Sequence, residues 1–197
     1  MKAGEHGGDA AGLCFVGAVP PDPLSAWISG WQLDLAHVVT APHVTLKAPG
    51  HLNAAQLAAC AEACRLTPAF EAVLGGVQTF GERVIFLEAA GAGLHTLHAR
   101  LVAAVGESAT SFELGGYHPH LTLAVSWRPF RVGGLESSHP GDWDKLGDWA
   151  RLLDHARASF EDLRSAPLPF CVTEAALFRK EAPGQPYREV TRWKLEG

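Results

Sequence analysis

The pentapeptide Pro-His-x-Thr-Leu occurs twice, at Pro42–Leu46 and Pro119–Leu123, with its histidines 77 positions apart. Such a recurrence constrains a fold more than any single motif, because two copies of one local structure must both find a place in it. Each copy suits a strand, where side chains two apart project from one face. His43 then shares a face with Thr45, and His120 with Thr122, while Val44, Leu46, Leu121 and Leu123 point into a core. A titratable ring and a hydroxyl on an otherwise apolar strand are costly unless they are used or satisfied. One such strand can be an ordinary core histidine with a backbone partner, whereas a matched pair calls for a shared purpose.

The surrounding pattern is mixed helix and strand. Leu13–Val19 is an apolar run bounded by Gly and Pro, as expected of a buried strand. Asp22-Pro23 predicts a helix through about Leu33, with Asp as cap and Pro in the first position. His43–Lys47 is the next strand, and Asn53-Ala-Ala-Gln56 is the amide form of a capping box opening a helix through Leu66. Phe70–Glu88 predicts a hairpin split near Gly81, with Arg83–Leu87 in its second arm. Leu94, Leu97, Leu101, Val102 and Val105 recur at helical spacing before the second repeat, on a strand over His120–Trp127.

Arg128–Gly147 is rich in Gly, Ser, Pro and Asp without a period and is expected to be a surface insertion. A helix over roughly Leu152–Leu163 follows. Pro169–Arg179 and Tyr187–Leu195 then predict two arms of a closing hairpin around Pro183-Gly-Gln-Pro186. The result is an α+β chain, 1–197 as one domain with an insertion at about 128–147.

Composition narrows the partners. With 16 basic against 21 acidic residues the net charge is −5, so the molecule as a whole does not attract long nucleic acids, and a compact phosphate met locally is the expected ligand. Four cysteines do not make a disulfide framework in a chain of this length, and Cys60-Ala-Glu-Ala-Cys64 lacks zinc-knuckle spacing; reduced thiols and a cytoplasmic location are expected. The apolar run near the N-terminus is too short for a membrane span.

Two imidazoles and two hydroxyls converging on one point would suit a tetrahedral phosphate. Phosphodiester hydrolysis needs a base for the attacking water and an acid for the departing oxygen. Histidine titrates close enough to neutrality to be either. The threonines can hold non-bridging oxygens.

His43-Val-Thr45 and His120-Leu-Thr122 resemble the paired H-x-T/S signatures of the 2H phosphoesterase superfamily, the LigT-like or 2′-5′ RNA ligase-like proteins. The resemblance extends to the apolar first strand, the helix after the first signature, the arm Phe80–Leu87 and the closing hairpin with Tyr187. It implies a bilobal α+β fold, two pseudo-twofold-related lobes with antiparallel sheets around a central cleft. It also implies hydrolysis of 2′,3′-cyclic or 2′-5′ phosphodiesters of RNA ends or nucleotides without metal or other cofactor, with RNA end ligation as the reverse reaction. His43 and His120 would be the acid/base pair, and Thr45 and Thr122 the phosphate binders. Arg128–Gly147 departs from the family pattern and bears on the shape of the cleft mouth.

Lys47, Tyr117, Arg179 and Tyr187 are further candidates for substrate contact, Lys47 because it stands four residues from His43 on an alternating strand. A metal site could use His118 and His120, with His43 or His37. His95 and His98 are expected on a solvent-facing helix surface, and none of the six tryptophans is singled out. A monomer is expected. The alternative from another class is a non-catalytic module holding an RNA end or phosphorylated ligand in the same cleft.

Overall fold

The computed structural model describes residues 12–37, 39–107, 113–132, 135–137, 146–182 and 185–197. Along the chain come β1 (Leu13–Ala18), α1 (Leu24–Asp34), β2 (Val44–His51), α2 (Ala54–Arg65), β3 (Phe70–Phe80), β4 (Val84–Ala90), α3 (Ala92–Val105) and, after a 3-10 turn at Leu114–Gly116, β5 (His120–Val125). The remaining elements are β6 (Phe130–Val132), β7 (Leu135–Ser137), α4 (Leu146–Ser159), α5 (Asp162–Ser165), β8 (Leu168–Val172), β9 (Glu174–Lys180) and β10 (Arg188–Lys194). The fold is α+β, as expected.

Eight strands form one antiparallel sheet in the order β10-β9-β1-β2-β5-β4-β3-β8. From its centre outward, β2-β1-β9-β10 is matched by β5-β4-β3-β8, and the units β1-α1-β2 and β4-α3-β5 are equivalent. The two halves meet through a single register pair, Val44 with Leu121, in the middle of the two repeats. Pseudo-twofold symmetry therefore runs through the seam between β2 and β5. On one face, Ile28 and Trp31 of α1 and Leu94, Leu97 and Leu101 of α3 form one core with Val44, Leu46, Leu121 and Leu123. Each such buried leucine stabilises by about 1.5–3 kcal/mol relative to exposure.

The capping box is formed: Gln56 N donates to Asn53 Oδ1 at 2.9 Å, and Asn53 N donates to Gln56 Oε1 at 3.0 Å. The start of α1 differs from expectation. Pro23 itself is the N-cap without a side-chain bond, and the Pro21 and Pro23 carbonyls take the first-turn N–H groups of Ser25 and Trp27. Asp22 does not cap. Residues 169–179 are not one arm, because the chain breaks at Thr173: β8 pairs with β3 at one edge of the sheet, while β9 and β10 form the hairpin at the other. Pro169 suits the edge position, since proline has no backbone N–H to donate to a ladder. Residues 183–184 of the intervening turn lie outside the described residues.

The segment expected as a surface insertion opens inside the fold. Phe130 is buried in the core, and Arg131 N donates to Leu35 O at 2.7 Å. β6 and β7 then pair as a short ribbon, and residues 138–145 lie outside the described residues. No described helix is long and apolar enough to cross a membrane.

Candidate active site

The pair Val44–Leu121 fixes the site's geometry. Continuing that antiparallel register places Thr45 opposite His120 and His43, which immediately precedes β2, opposite Thr122. The four side chains thus share the face away from α1 and α3. Direct cross-strand neighbours stand about 4.5–5.5 Å apart at Cβ and diagonal ones about 7–8 Å, close enough for four groups to surround one phosphate.

Both repeats end in the same irregularity. Against β1, the register slips by one residue between Gly17–Thr45 and Val16–Lys47, leaving Leu46 extra. Against β4 it slips between Phe86–Thr122 and Ile85–Ala124, leaving Leu123 extra. A bulge flips the alternation beyond it, so past Thr45 and Leu46 the cleft lining continues at Ala48 rather than Lys47, and past Thr122 it continues at Val125 rather than Ala124.

Each histidine is oriented in the same way. His43 Nδ1 lies 2.7 Å from Ala41 O, and His120 Nδ1 lies 2.8 Å from His118 O, each bond spanning the proline of its repeat. A carbonyl only accepts, so Nδ1 carries the hydrogen and Nε2 of the neutral ring is left for proton transfer. Each ring also backs onto a stacked phenylalanine pair. Phe15 and Phe178 stack at 4.7 Å, with His43 at 4.7 and 5.0 Å from them. Phe80 and Phe86 stack at 4.2 Å, with His120 at 4.9 and 5.1 Å. Gly17 permits the first arrangement, because a Cβ there would stand 3.0 Å from the His43 ring.

This apolar backing has an electrostatic consequence. Burial pushes the His43 imidazole down to about 4, the Ala41 carbonyl opposing and His120 adding to the shift. Burial likewise lowers His120, against its bond to His118 O and with His118 lowering it further. Charge on one ring of the pair thus discourages charge on the other.

A cleft of about 640 Å³ opens on this face, lined by Thr45, His120 and Thr122 of the repeats. His43 stands beyond this lining, so the volume lies on the His120 side. There Phe80 and Trp127 are 40% and 48% exposed, large values for aromatic rings in a concave wall. Arg83 also lines the cleft, its guanidinium carbon 5.9 Å from the Trp127 ring centre.

The other candidates are differently placed. Lys47 is buried, with Nζ 2.7 Å from Glu113 Oε1 at side-chain exposures of 3% and 2%. The bulge at Leu46 takes it off the His43 face, so it is an ion-pair partner rather than a cation open to the cleft. Tyr117 lines the cleft, but its hydroxyl donates to Thr45 O at 3.0 Å and burial raises its pKa. Tyr187 meets the edge of Phe15 at 4.8 Å and so supports the His43 pocket from behind. Arg179 pairs across β9 with Cys14 and Arg188 and is not among the cleft-lining residues.

His98 overturns its expected exposure. It is 3% exposed, with Nδ1 2.7 Å from Leu46 O, Nε2 accepting from Leu114 N at 2.9 Å, and its ring stacked on Tyr117 at 3.8 Å. His95 is exposed as expected. His37 is fully buried, with Nδ1 on Pro129 O and Nε2 accepting from Val125 N, so neither nitrogen is open for the metal set considered above. Among the described residues no group of three or more His, Cys, Asp or Glu is placed to hold a metal ion. Cys60 and Cys64 are buried thiols that burial pushes up to about 11 and about 12.

Comparison with known proteins agrees with this architecture. LigT from E. coli in apo form is 22% identical over 94% of this chain and 98% of its own, with a TM-score of 0.56. TT0787 of Thermus thermophilus is 20% identical over 94% and 98%, also at 0.56. LigT solved with 3′-AMP is 21% identical over the same shares, at 0.54. No curated protein matches the chain by sequence. The model of the 2′-5′ RNA ligase superfamily matches residues 20–129, more than half of the chain and a span that holds both repeats. Sequence family, sheet order and the doubled histidine–threonine face agree, and the chain belongs to the 2′-5′ RNA ligase superfamily of 2H phosphoesterases.

Proposed function

We propose that the protein hydrolyses 2′,3′-cyclic or 2′-5′ phosphodiesters of nucleotides or RNA ends without metal, by acid/base catalysis between His43 and His120. The observation that carries this reading is the register pair Val44–Leu121, which, continued by one residue each way, sets His43 against Thr122 and His120 against Thr45 on one face. Water attacks phosphorus while its proton passes to Nε2 of one neutral imidazole. The bond from phosphorus to a ribose oxygen breaks, and Nε2–H of the other, protonated imidazole protonates that oxygen. Thr45 and Thr122 hold the non-bridging oxygens. The product is a nucleotide monoester with a free ribose hydroxyl, and RNA end ligation is the reverse of the 2′-5′ reaction, with the two roles exchanged.

The site's shape supports a nucleotide substrate. The cleft extends from His120 toward Phe80, Trp127 and Arg83, where a base can stack while its phosphate sits between the repeats. Solved LigT complexes with 3′-AMP and NADP+ support the same reading. Trp127→Ala is expected to raise KM for a 2′,3′-cyclic nucleotide about ten-fold, in keeping with about 1–3 kcal/mol per stacked base. It should leave KM for a base-free cyclic ribose phosphate unchanged. Equal effects on both substrates would remove the base from this wall.

The function itself is tested by turnover of 2′,3′-cyclic nucleotides and 2′-5′ dinucleotides in the presence of a chelator, with activity expected to survive. The competent pair carries one proton. Because both free imidazoles are lowered from 6.5, kcat/KM, which reports the free protein, is expected to peak below that pH. A bound phosphate anion favours the imidazolium, so the kcat profile should lie at higher pH. Activity abolished by chelation and restored by a divalent cation would overturn the metal-free mechanism.

A further inference from the structure

With a single register pair between β2 and β5, buried backbone groups along the two strands that face the seam need partners from elsewhere. The bulges at Leu46 and Leu123 add to the demand, since an extra residue leaves its own carbonyl outside the ladder. On β2, Tyr117 Oη donates to Thr45 O at 3.0 Å, and His98 Nδ1 lies 2.7 Å from Leu46 O. On β5, Gln32 Nε2 donates to Leu123 O at 3.0 Å and to Thr122 O at 3.3 Å. The same two carbonyls, those of Thr and Leu of each repeat, are thus taken by polar side chains in both halves.

The donors cross over. Gln32 comes from α1, which precedes the first repeat, yet it grips the strand of the second. His98 and Tyr117 precede the second repeat, on α3 and beside its histidine, yet they grip the strand of the first. Gln32 is 5% exposed and is not among the cleft-lining residues, so it acts on the cleft only through the backbone it holds.

We propose that Gln32 on one side and Tyr117 with His98 on the other are positioning residues: a crossed pair of clamps that replaces the missing ladder between β2 and β5 and fixes the two histidine–threonine faces relative to each other. A seam held by one backbone pair would let the halves rotate about it. Two clamps, one at the end of each repeat, remove that freedom. The distance between the proton-transfer rings is then set by side chains whose polar ends are spent on backbone: Gln32 lies outside the cleft lining, while Tyr117 and His98 line it with the hydroxyl and both ring nitrogens already bonded.

Gln32→Met keeps the length of the side chain and removes its donor, and Tyr117→Phe keeps the ring and removes the hydroxyl. With a 2′,3′-cyclic nucleotide, each is expected to lower kcat while KM changes less than two-fold, and the Gln32 variant by up to about 10²-fold, the cost of misplacing a reacting group by an ångström. The kinetic readout rests on the acid/base reading above; the imidazole ¹⁵N shifts of the free protein do not. Gln32→Met should move the His120 resonances and Tyr117→Phe those of His43, because each clamp holds the strand of that histidine. If wild-type protein turns over none of the substrates, the proposed function falls and the shifts alone decide the clamps. If Gln32→Met fails to fold, Tyr117→Phe decides them. Unmoved imidazole resonances, or a loss of activity that only follows the folded fraction, would overturn the inference.

Discussion

Replacing His43 or His120 with alanine is expected to lower turnover of a 2′,3′-cyclic nucleotide by about 10²- to 10⁴-fold, the usual worth of one positioned proton transfer. Either loss alone should cripple the reaction, because water needs a base and the ribose oxygen an acid in the same event. The double variant should be little worse than the poorer single one, since groups that act as a unit are not additive. Thr45→Val and Thr122→Val should cost less, as they leave proton transfer in place. Substrate affinity provides the internal check. His43 and His120 face the same phosphate across the seam, so both alanine changes should lower kcat far more than they raise KM. Full activity in either alanine variant sinks the two-histidine mechanism. Retained binding of a cyclic nucleotide by wild-type protein with no product would make the cleft a binding site only.

The pairing of the repeats is legible because a spelling shared at two distant places survives without knowledge of the fold. Its strands, the capping box at Asn53 and the hairpin around Gly81 follow from local chemistry that tertiary contacts do not override. What fails are judgements that need a third dimension. Strict alternation puts Lys47 on the His43 face, and the bulge at Leu46 breaks that alternation without leaving a mark in the sequence. The polarity of its ring groups His98 with His95 at the surface, although it falls within the apolar stripe of Leu94, Leu97, Leu101 and Val102; the stripe is the better signal. The phenylalanine pairs are out of reach, since Phe15 meets Phe178 only because β1 and β9 are neighbours. Pro169 carries a hint that its strand lies at an edge, whereas the break at Thr173 comes from β8 and β9 belonging to opposite ends of the sheet.

The ion pair that removes Lys47 from the cleft leads to the second large effect. Lys47 and Glu113 are both almost fully buried, and Glu113 Oε1 also accepts from Ala48 N at 2.9 Å. Taking two charges out of water is expensive, and their attraction roughly offsets it, so the pair itself adds little net stability. Removing one partner is different, because the other charge stays behind in a low-dielectric interior. Glu113→Ala is therefore expected to cost about 3–5 kcal/mol. For a chain of this size that is a fall in Tm of about 6–20 °C at neutral pH, read by thermal unfolding. The double variant Lys47→Met with Glu113→Gln removes both charges and keeps an acceptor for Ala48 N, and it should recover most of the loss. By contrast, Glu62→Ala, which breaks the exposed pair with Arg65, should leave Tm nearly unchanged because water screens it. A Glu113→Ala protein that melts with the wild type would show that Lys47 finds water or another partner, and the pair could then not be what holds the 3-10 turn at Leu114–Gly116 against β2. If the loss appears, the same contact explains how the segment entering the second repeat is seated on the strand of the first: a buried charge has one place to go, and that place fixes the register of the chain leading to His120.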